Sequence, residues 1–136
     1  MVLTSGTDEL LLNTDGTVTP RIKATWTADT DSRINGYHVQ YKKALTTVWL
    51  NSVDVVGEVE TFIGPVEAGI EYEVRVRSVD GVGNTSDWLY SANHDALGKT
   101  NPPNNVTGFS AYQNGSALVI KWTANADVDL NGYEIR

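Results

Sequence analysis

The chain repeats part of itself at long spacing. Residues 26–40, WTADTDSRINGYHVQ, align without a gap with residues 122–136, WTANADVDLNGYEIR, at an offset of 96 and with seven identities in 15 positions. Trp26, Thr27, Ala28, Asp31, Asn35, Gly36 and Tyr37 recur as Trp122, Thr123, Ala124, Asp127, Asn131, Gly132 and Tyr133. A period of this length is a whole small domain, because solenoid units repeat at roughly 20–50 residues. Two such domains need 2 × 96 = 192 residues and the chain has 136, so the second copy is expected to lack more than half of itself. The organisation read from this is a complete module over 1–99, a Pro-rich linker over 100–105 and the N-terminal part of a second module over 106–136.

Within the first copy the apolar pattern has the period of a β-strand. In EYEVRVRSV, residues 71–79, Tyr72, Val74 and Val76 share one face while Glu71, Glu73, Arg75 and Arg77 share the other. Ile22, Ala24 and Trp26 alternate against Lys23, Thr25 and Thr27, and Tyr37, Val39 and Tyr41 against His38 and Gln40. Turn signals separate these runs, including Asp15-Gly16, Asn35-Gly36, Gly64-Pro65 and Asp80-Gly81. No stretch sustains a 3.6-residue period. The pattern predicts an all-β, seven-stranded immunoglobulin-like sandwich with strands near 9–13, 21–27, 36–42, 47–52, 58–63, 71–79 and 88–94. The second copy is expected to begin with strands over 106–111 and 117–123 joined at Asn114-Gly115, and to reach a third near Tyr133. Trp26, Tyr37, Val39, Tyr72, Val74, Val76, Trp122 and Tyr133 are the expected structural core.

Composition narrows the partners. Ten basic against 17 acidic residues leave a net charge of −7, which phosphate backbones repel, so no nucleic-acid partner is expected. No apolar run approaches the ~18 residues of a membrane span, so no membrane insertion is expected. The chain has no cysteine, which rules out disulfides and thiolate metal sites and leaves stability to a packed core. The first residues, MVLTSGTDELLLNTDG, lack the basic start of a signal peptide and are expected to remain part of the protein.

The Trp on the second strand, the Gly-Tyr opening the third (Gly36-Tyr37, Gly132-Tyr133) and the run GPVEAGIEYEVRVRSVDGVGNTSDW resemble the fibronectin type III family. The resemblance implies that Val66, Gly69 and Tyr72 form a corner in which the tyrosine bonds back to the loop before its strand. A narrower resemblance lies in the junction GKTNPP with VTGF and in the ending DVDLNGYEIR, which are similar to the fibronectin type III region of phage and prophage tail tip attachment proteins of the host-specificity, J type. That resemblance implies a structural, non-enzymatic module in a trimeric tail tip, with other tail proteins or further copies as partners and a host surface receptor beyond them. It also implies a virion location after synthesis in the bacterial cytoplasm. The alternative is a fibronectin type III linker of a secreted, extracellular bacterial polysaccharide-degrading enzyme.

Chemistry-bearing constellations are sparse. His38 and His94 have no Ser, Cys or second His at a catalytic spacing, and the carboxylates are scattered, so no catalytic residue and no cofactor is expected. Asp127, Asp129, Asn131 and Gly132 match the opening of a calcium loop, but Arg33 stands in the first copy where a carboxylate is needed, so the segment is read as an inter-strand loop with no metal. The loop Gly81, Val82, Gly83, Asn84, Thr85 between the sixth and seventh strands is the candidate contact loop, set against the plainer reading of a tight turn. Trp49 and Trp88 are the exposed-aromatic candidates, and a Trp beside Arg75 and Arg77 is expected to stack on a guanidinium as a clamp. Phe109, Ile120, Trp122 and Tyr133 lack a covering sheet in a partial module, so they are expected to pack on the first module or against another chain.

Overall fold

The computed structural model describes residues 1–99, 103–127, 130 and 132–136, and of residues 51–53 only the backbone. The chain forms two compact units, Met1–Leu11 with Thr19–Thr100 and Leu12–Val18 with Asn101–Arg136. In chain order the strands are β1 (Val2–Ser5), β2 (Leu11–Leu12), β3 (Val18–Thr19), β4 (Ile22–Thr25), β5 (Ile34–Lys43), β6 (Leu50–Val55), β7 (Glu60–Ile63), β8 (Glu71–Asp80), β9 (Leu89–Tyr90), β10 (His94–Asp95), β11 (Thr107–Asn114) and β12 (Ala117–Thr123). The helical content of the described residues is a single 3-10 turn over Thr7–Glu9.

The first unit is a fibronectin type III-like β-sandwich. One sheet has the order β1-β4-β7, and the other has the order β10-β8-β5-β6 with β9 also on β8. All of these pairings are antiparallel. Because β9 pairs at Arg75 and Val76 while β10 pairs at Glu71 and Tyr72, the two short pieces are one interrupted edge strand, and the sandwich has seven strands. Strand β8 lies inside its sheet and alternates strictly, with Tyr72, Val74, Val76 and Ser78 buried between less buried neighbours.

A single cluster fills the space between the sheets. Ile22, Ala24 and Trp26 from the β4 side and Ile63 from β7 meet Tyr37, Val39, Val55, Tyr72, Val74 and Val76 from the other sheet, and Val66 and Ala96 close the ends. Gly36 allows β6 to approach, because a Cβ there would stand 2.5 Å from the Val55 carbonyl oxygen. Tyr72 Oη accepts a hydrogen bond from the Glu67 N–H at 3.1 Å, so the corner implied by the resemblance is formed.

The structure differs from the sequence expectations at several elements. The first sandwich strand is Val2–Ser5, paired with β4, whereas the expected strand at 9–13 shrinks to Leu11–Leu12, paired only with β3. The apolar run Leu10–Leu12 drew the expectation, but the free edge of β4 is filled by the four residues that register on it from Thr25 back to Ile22. The strand expected at 88–94 is split into β9 and β10. In the second unit β11 runs on to Asn114, which pairs with Ala117, so the turn is Gly115-Ser116 rather than Asn114-Gly115. Gly115 takes φ 61°, the position that a two-residue hairpin turn with glycine first requires. The described residues of 132–136 form no strand, so the described part of 106–136 holds one hairpin where three strands are expected. Half of the expected extended linker, residues 100–102, lies outside the described residues.

Tyr72→Phe keeps the ring in the core and removes the acceptor for the Glu67 N–H. It is expected to lower stability by about 1–2 kcal/mol, read from the midpoint of urea denaturation at an unchanged slope.

Candidate interaction site

The outward face of β8 carries Arg75 and Arg77, two residues apart and therefore on one side of the sheet. Tertiary folding brings two tryptophans to them. The Arg75 guanidinium lies 4.3 Å from the ring centre of Trp88 and 4.2 Å from that of Trp49, and Arg77 lies 4.4 Å from Trp88. Lys42 extends the row at 5.2 Å from Trp49, and Tyr90 meets Trp49 edge-on at 5.9 Å. The order Lys42, Trp49, Arg75, Trp88, Arg77 is a cation–π ladder built on β5, β8 and the residues just before β6 and β9, in which each ring's negative face meets a cation. Trp49 and Trp88 are half-buried by it rather than exposed. Arg75 is also held in plane, donating through Nε and Nη2 to Gln40 Oε1 and through Nη1 to Tyr90 Oη.

The candidate contact loop is the turn from β8 toward β9, and it is organised from within. Asp80 Oδ1 accepts from the N–H groups of Val82 (3.0 Å) and Asn84 (2.8 Å), and Oδ2 accepts from Asn84 Nδ2 (2.8 Å). The Asp80 N–H donates to the Asn84 carbonyl, the Gly83 N–H donates to the Asp80 carbonyl, and Val79 bridges Thr85. Gly81, Val82, Gly83, Asn84 and Thr85 are all exposed, Val82 at 86%. Side-chain hydrogen bonding from Asn84, followed by the loop's backbone N–H groups, holds the Asp80 carboxyl below the ordinary carboxylate value.

The repeated sequence is a repeated local structure. In the first unit Trp26 meets Tyr37 edge-on at 5.3 Å, Tyr37 Oη accepts from the Asp29 N–H, Asp29 Oδ1 accepts from the Asp31 N–H, and the Ile34 N–H donates to the Asp31 carbonyl. In the second, Trp122 meets Tyr133 at 5.1 Å, Tyr133 Oη accepts from the Asn125 N–H, Asn125 Oδ1 accepts from the Asp127 N–H, and the Leu130 N–H donates to the Asp127 carbonyl. Every one of these contacts is shifted by 96 positions. The burial is not repeated: Trp26, Tyr37, Val39, Tyr72, Val74 and Val76 are buried, whereas Trp122 is half-buried and Tyr133 is 37% exposed. The expectation of core burial fails at this last pair because no second sheet lies over them among the described residues. They line instead a cavity of about 440 Å³ with Phe109, Ile120 and Ile135.

The remaining chemical candidates are engaged in structure. Asp31 is gripped by Arg33 Nε and Nη2, which pushes its carboxyl down to about 2. Asp127 accepts from the backbone and side-chain N–H groups of Asn104, while Asp129 and Asn131 lie outside the described residues. Among the described residues no three His, Cys, Asp or Glu side chains gather as for a metal. His94 has Ser5 Oγ, 89 positions away in sequence, at 2.8 Å across the sandwich, and the same hydroxyl accepts from the Leu97 N–H. That contact ties β1 to β10. His38 is 3.7 Å from Asp54 on the neighbouring strand.

No protein-family model matches the chain, and no curated protein matches it. Solved structures are similar to it. The twitchin kinase region from C. elegans (Fn31-NL-kin-CRD-Ig26) is 18% identical over 68% of this chain with a TM-score of 0.49, and this chain spans 15% of that one. A myokine structure is 15% identical over 70% of this chain with a TM-score of 0.47, and this chain spans 92% of it.

Two measurements probe this face. Trp88→Ala removes the ring shared by two guanidinium groups and is expected to lower stability by about 1–2 kcal/mol in urea denaturation. Full stability in that variant, together with loss of partner binding, would make Trp88 a contact residue instead of a clamp. Because the folded pKa of Asp80 is lowered, its contribution is complete above the ordinary carboxylate pKa and is lost as pH falls through the folded value. Amide exchange protection at Val82 and Asn84 is expected to hold at neutral pH and to fall selectively in acid.

Proposed function

We propose that this chain is a non-enzymatic spacing and interaction module from the tail tip protein of a phage or prophage. The observation that carries the reading is the tandem arrangement. A cysteine-free sandwich is followed, across the junction GKTNPPNNVTGF, by a second Trp–Tyr corner with the same internal hydrogen bonds. A rigid sandwich repeated along a chain sets distances, and prolines at a junction restrict bending.

The chemistry of the residues agrees with that role. The Arg75–Trp88 stack, the Asp80 carboxylate and the Arg33–Asp31 pair hold strands and turns. In this reading the partners are neighbouring tail proteins or further copies of the chain, a trimeric tip among them, with a host surface receptor contacted by the parent protein. The protein is made in the bacterial cytoplasm and ends in the virion.

The flanking genes and the assembled particle test it. Tail assembly genes are expected beside this gene, and mass spectrometry of purified particles is expected to detect peptides such as residues 78–99. A glycoside hydrolase encoded in the same reading frame, with no tail genes nearby, would replace this function with that of a linker in a secreted polysaccharide-degrading enzyme.

A further inference from the structure

Two buried donors in the sandwich have no acceptor among the described residues, and the residues that carry them line the same cavity. Among the described residues none accepts from Trp26 Nε1 or from Arg77 Nε, although both atoms are buried. Trp26 is only 7% exposed. Both residues line a cavity of about 140 Å³ with Asp29, Ser78, Ser86 and Asp87. This is well above the ~30 Å³ share of one liquid water and far below the roughly 300–1,000 Å³ that hold a drug-sized ligand. Its size suits a small polar end group.

Ser78, Asp29 and Ser86 on the walls are already engaged. Ser78 Oγ donates to Asp29 Oδ2 at 2.8 Å, and Asp29 Oδ1 accepts from the Asp31 N–H. Ser86 Oγ accepts from the Ser78 N–H and donates to the Asp87 carbonyl. The buried atoms left without a partner are both donors, one indole N–H and one guanidinium N–H, while the Asp87 carboxylate belongs to an exposed residue of the rim. Arg77 is presented in a set orientation by its stack on Trp88 at 4.4 Å. A buried donor without an acceptor is unfavourable, so an oxygen that enters this cavity and accepts from these donors is favoured.

We infer that this cavity is a binding subsite for a neutral carbonyl oxygen, a backbone peptide group or an Asn or Gln side chain of an adjoining protein chain. Charge selects the neutral group. The walls carry one guanidinium and two carboxylates, and the hydrogen bonds to Asp29 keep that carboxyl ionised, so an incoming anion meets net negative charge. The subsite opens beside the Asp80–Thr85 turn through the exposed Ser86 and Asp87, where a partner docked on that end of the sandwich reaches it.

Side-chain N–H resonances read the site directly. Titration of ¹⁵N-labelled protein with acetamide, at constant ionic strength, is expected to shift the Trp26 Nε1–H and Arg77 Nε–H signals together and saturably. The indole of Trp122, its counterpart in the repeat, serves as control and is expected to stay in place. Acetate is expected to give smaller shifts, and Arg77→Lys is expected to weaken the Trp26 response to acetamide several-fold. Three results overturn the inference: no saturable shift with acetamide, which leaves the cavity to water; a stronger response to acetate, which makes it an anion site; or equal shifts at Trp122. The wild-type titration decides the matter even if the Arg77 variant does not fold.

Discussion

The contact between Trp26 and Tyr37 is the one on which the sandwich depends. Trp26 follows a strand of one sheet and Tyr37 lies in a strand of the other, so their edge-on meeting at 5.3 Å is a bond between the two layers. Aromatic side chains of this size bury roughly 150–250 Å² each, and the edge-on geometry sets a positive ring edge against a negative face. Tyr37 then uses its hydroxyl to accept from the Asp29 N–H, fixing the connection between the strands that bear the pair. One pair of residues thus joins the sheets and shapes the turn between them. The same pair and the same hydrogen bond recur in the second unit at Trp122, Tyr133 and Asn125.

Turns in this protein are held by side chains that replace missing backbone partners. Asp80 gathers the amides of its turn, Asp29 and Asp31 cap the loop before β5, Asp15 does the same for the β2–β3 hairpin, and Tyr72 holds the loop before β8. Buried or crowded N–H groups need acceptors, and short carboxylates two residues away supply them. Many of the acidic residues that set the net charge of −7 therefore have local structural tasks. Their lowered pKa values have hydrogen bonds as the leading cause and need no ligand to explain them.

The outer face of β8 shows how alternation and tertiary placement divide the work. Alternation put Arg75 and Arg77 on one side, and the expected stacking of a tryptophan on a guanidinium is what the ladder contains. The second ring was not legible in the same way. Trp49 precedes β6 and reaches Arg75 only because β6 pairs with β5 and β5 with β8, so its contact depends on the order of strands in the sheet. The Ser5–His94 contact is of the same kind, its partners separated by 89 positions in sequence. The candidate cavity is as well, because Trp26 and Arg77 come from different sheets and nothing in their spacing marks them as neighbours.

By itself the sequence determined the all-β character, the inward and outward phases of the strands and the repeated Trp–Tyr corner. These are local, since side chains alternate along a strand and turn residues act within a few positions of themselves. Tertiary structure alone decided that Val2–Ser5, and not Leu10–Leu12, forms the first sandwich strand, because pairing on β4 is a long-range competition for one open edge. It also decided that identical residues have different burial. Gly36 is pressed against the Val55 carbonyl while a Cβ at Gly132 would meet nothing, and Tyr37 is buried while Tyr133 is exposed. The local corner forms from its own residues, but burial comes from the sheet that packs across it.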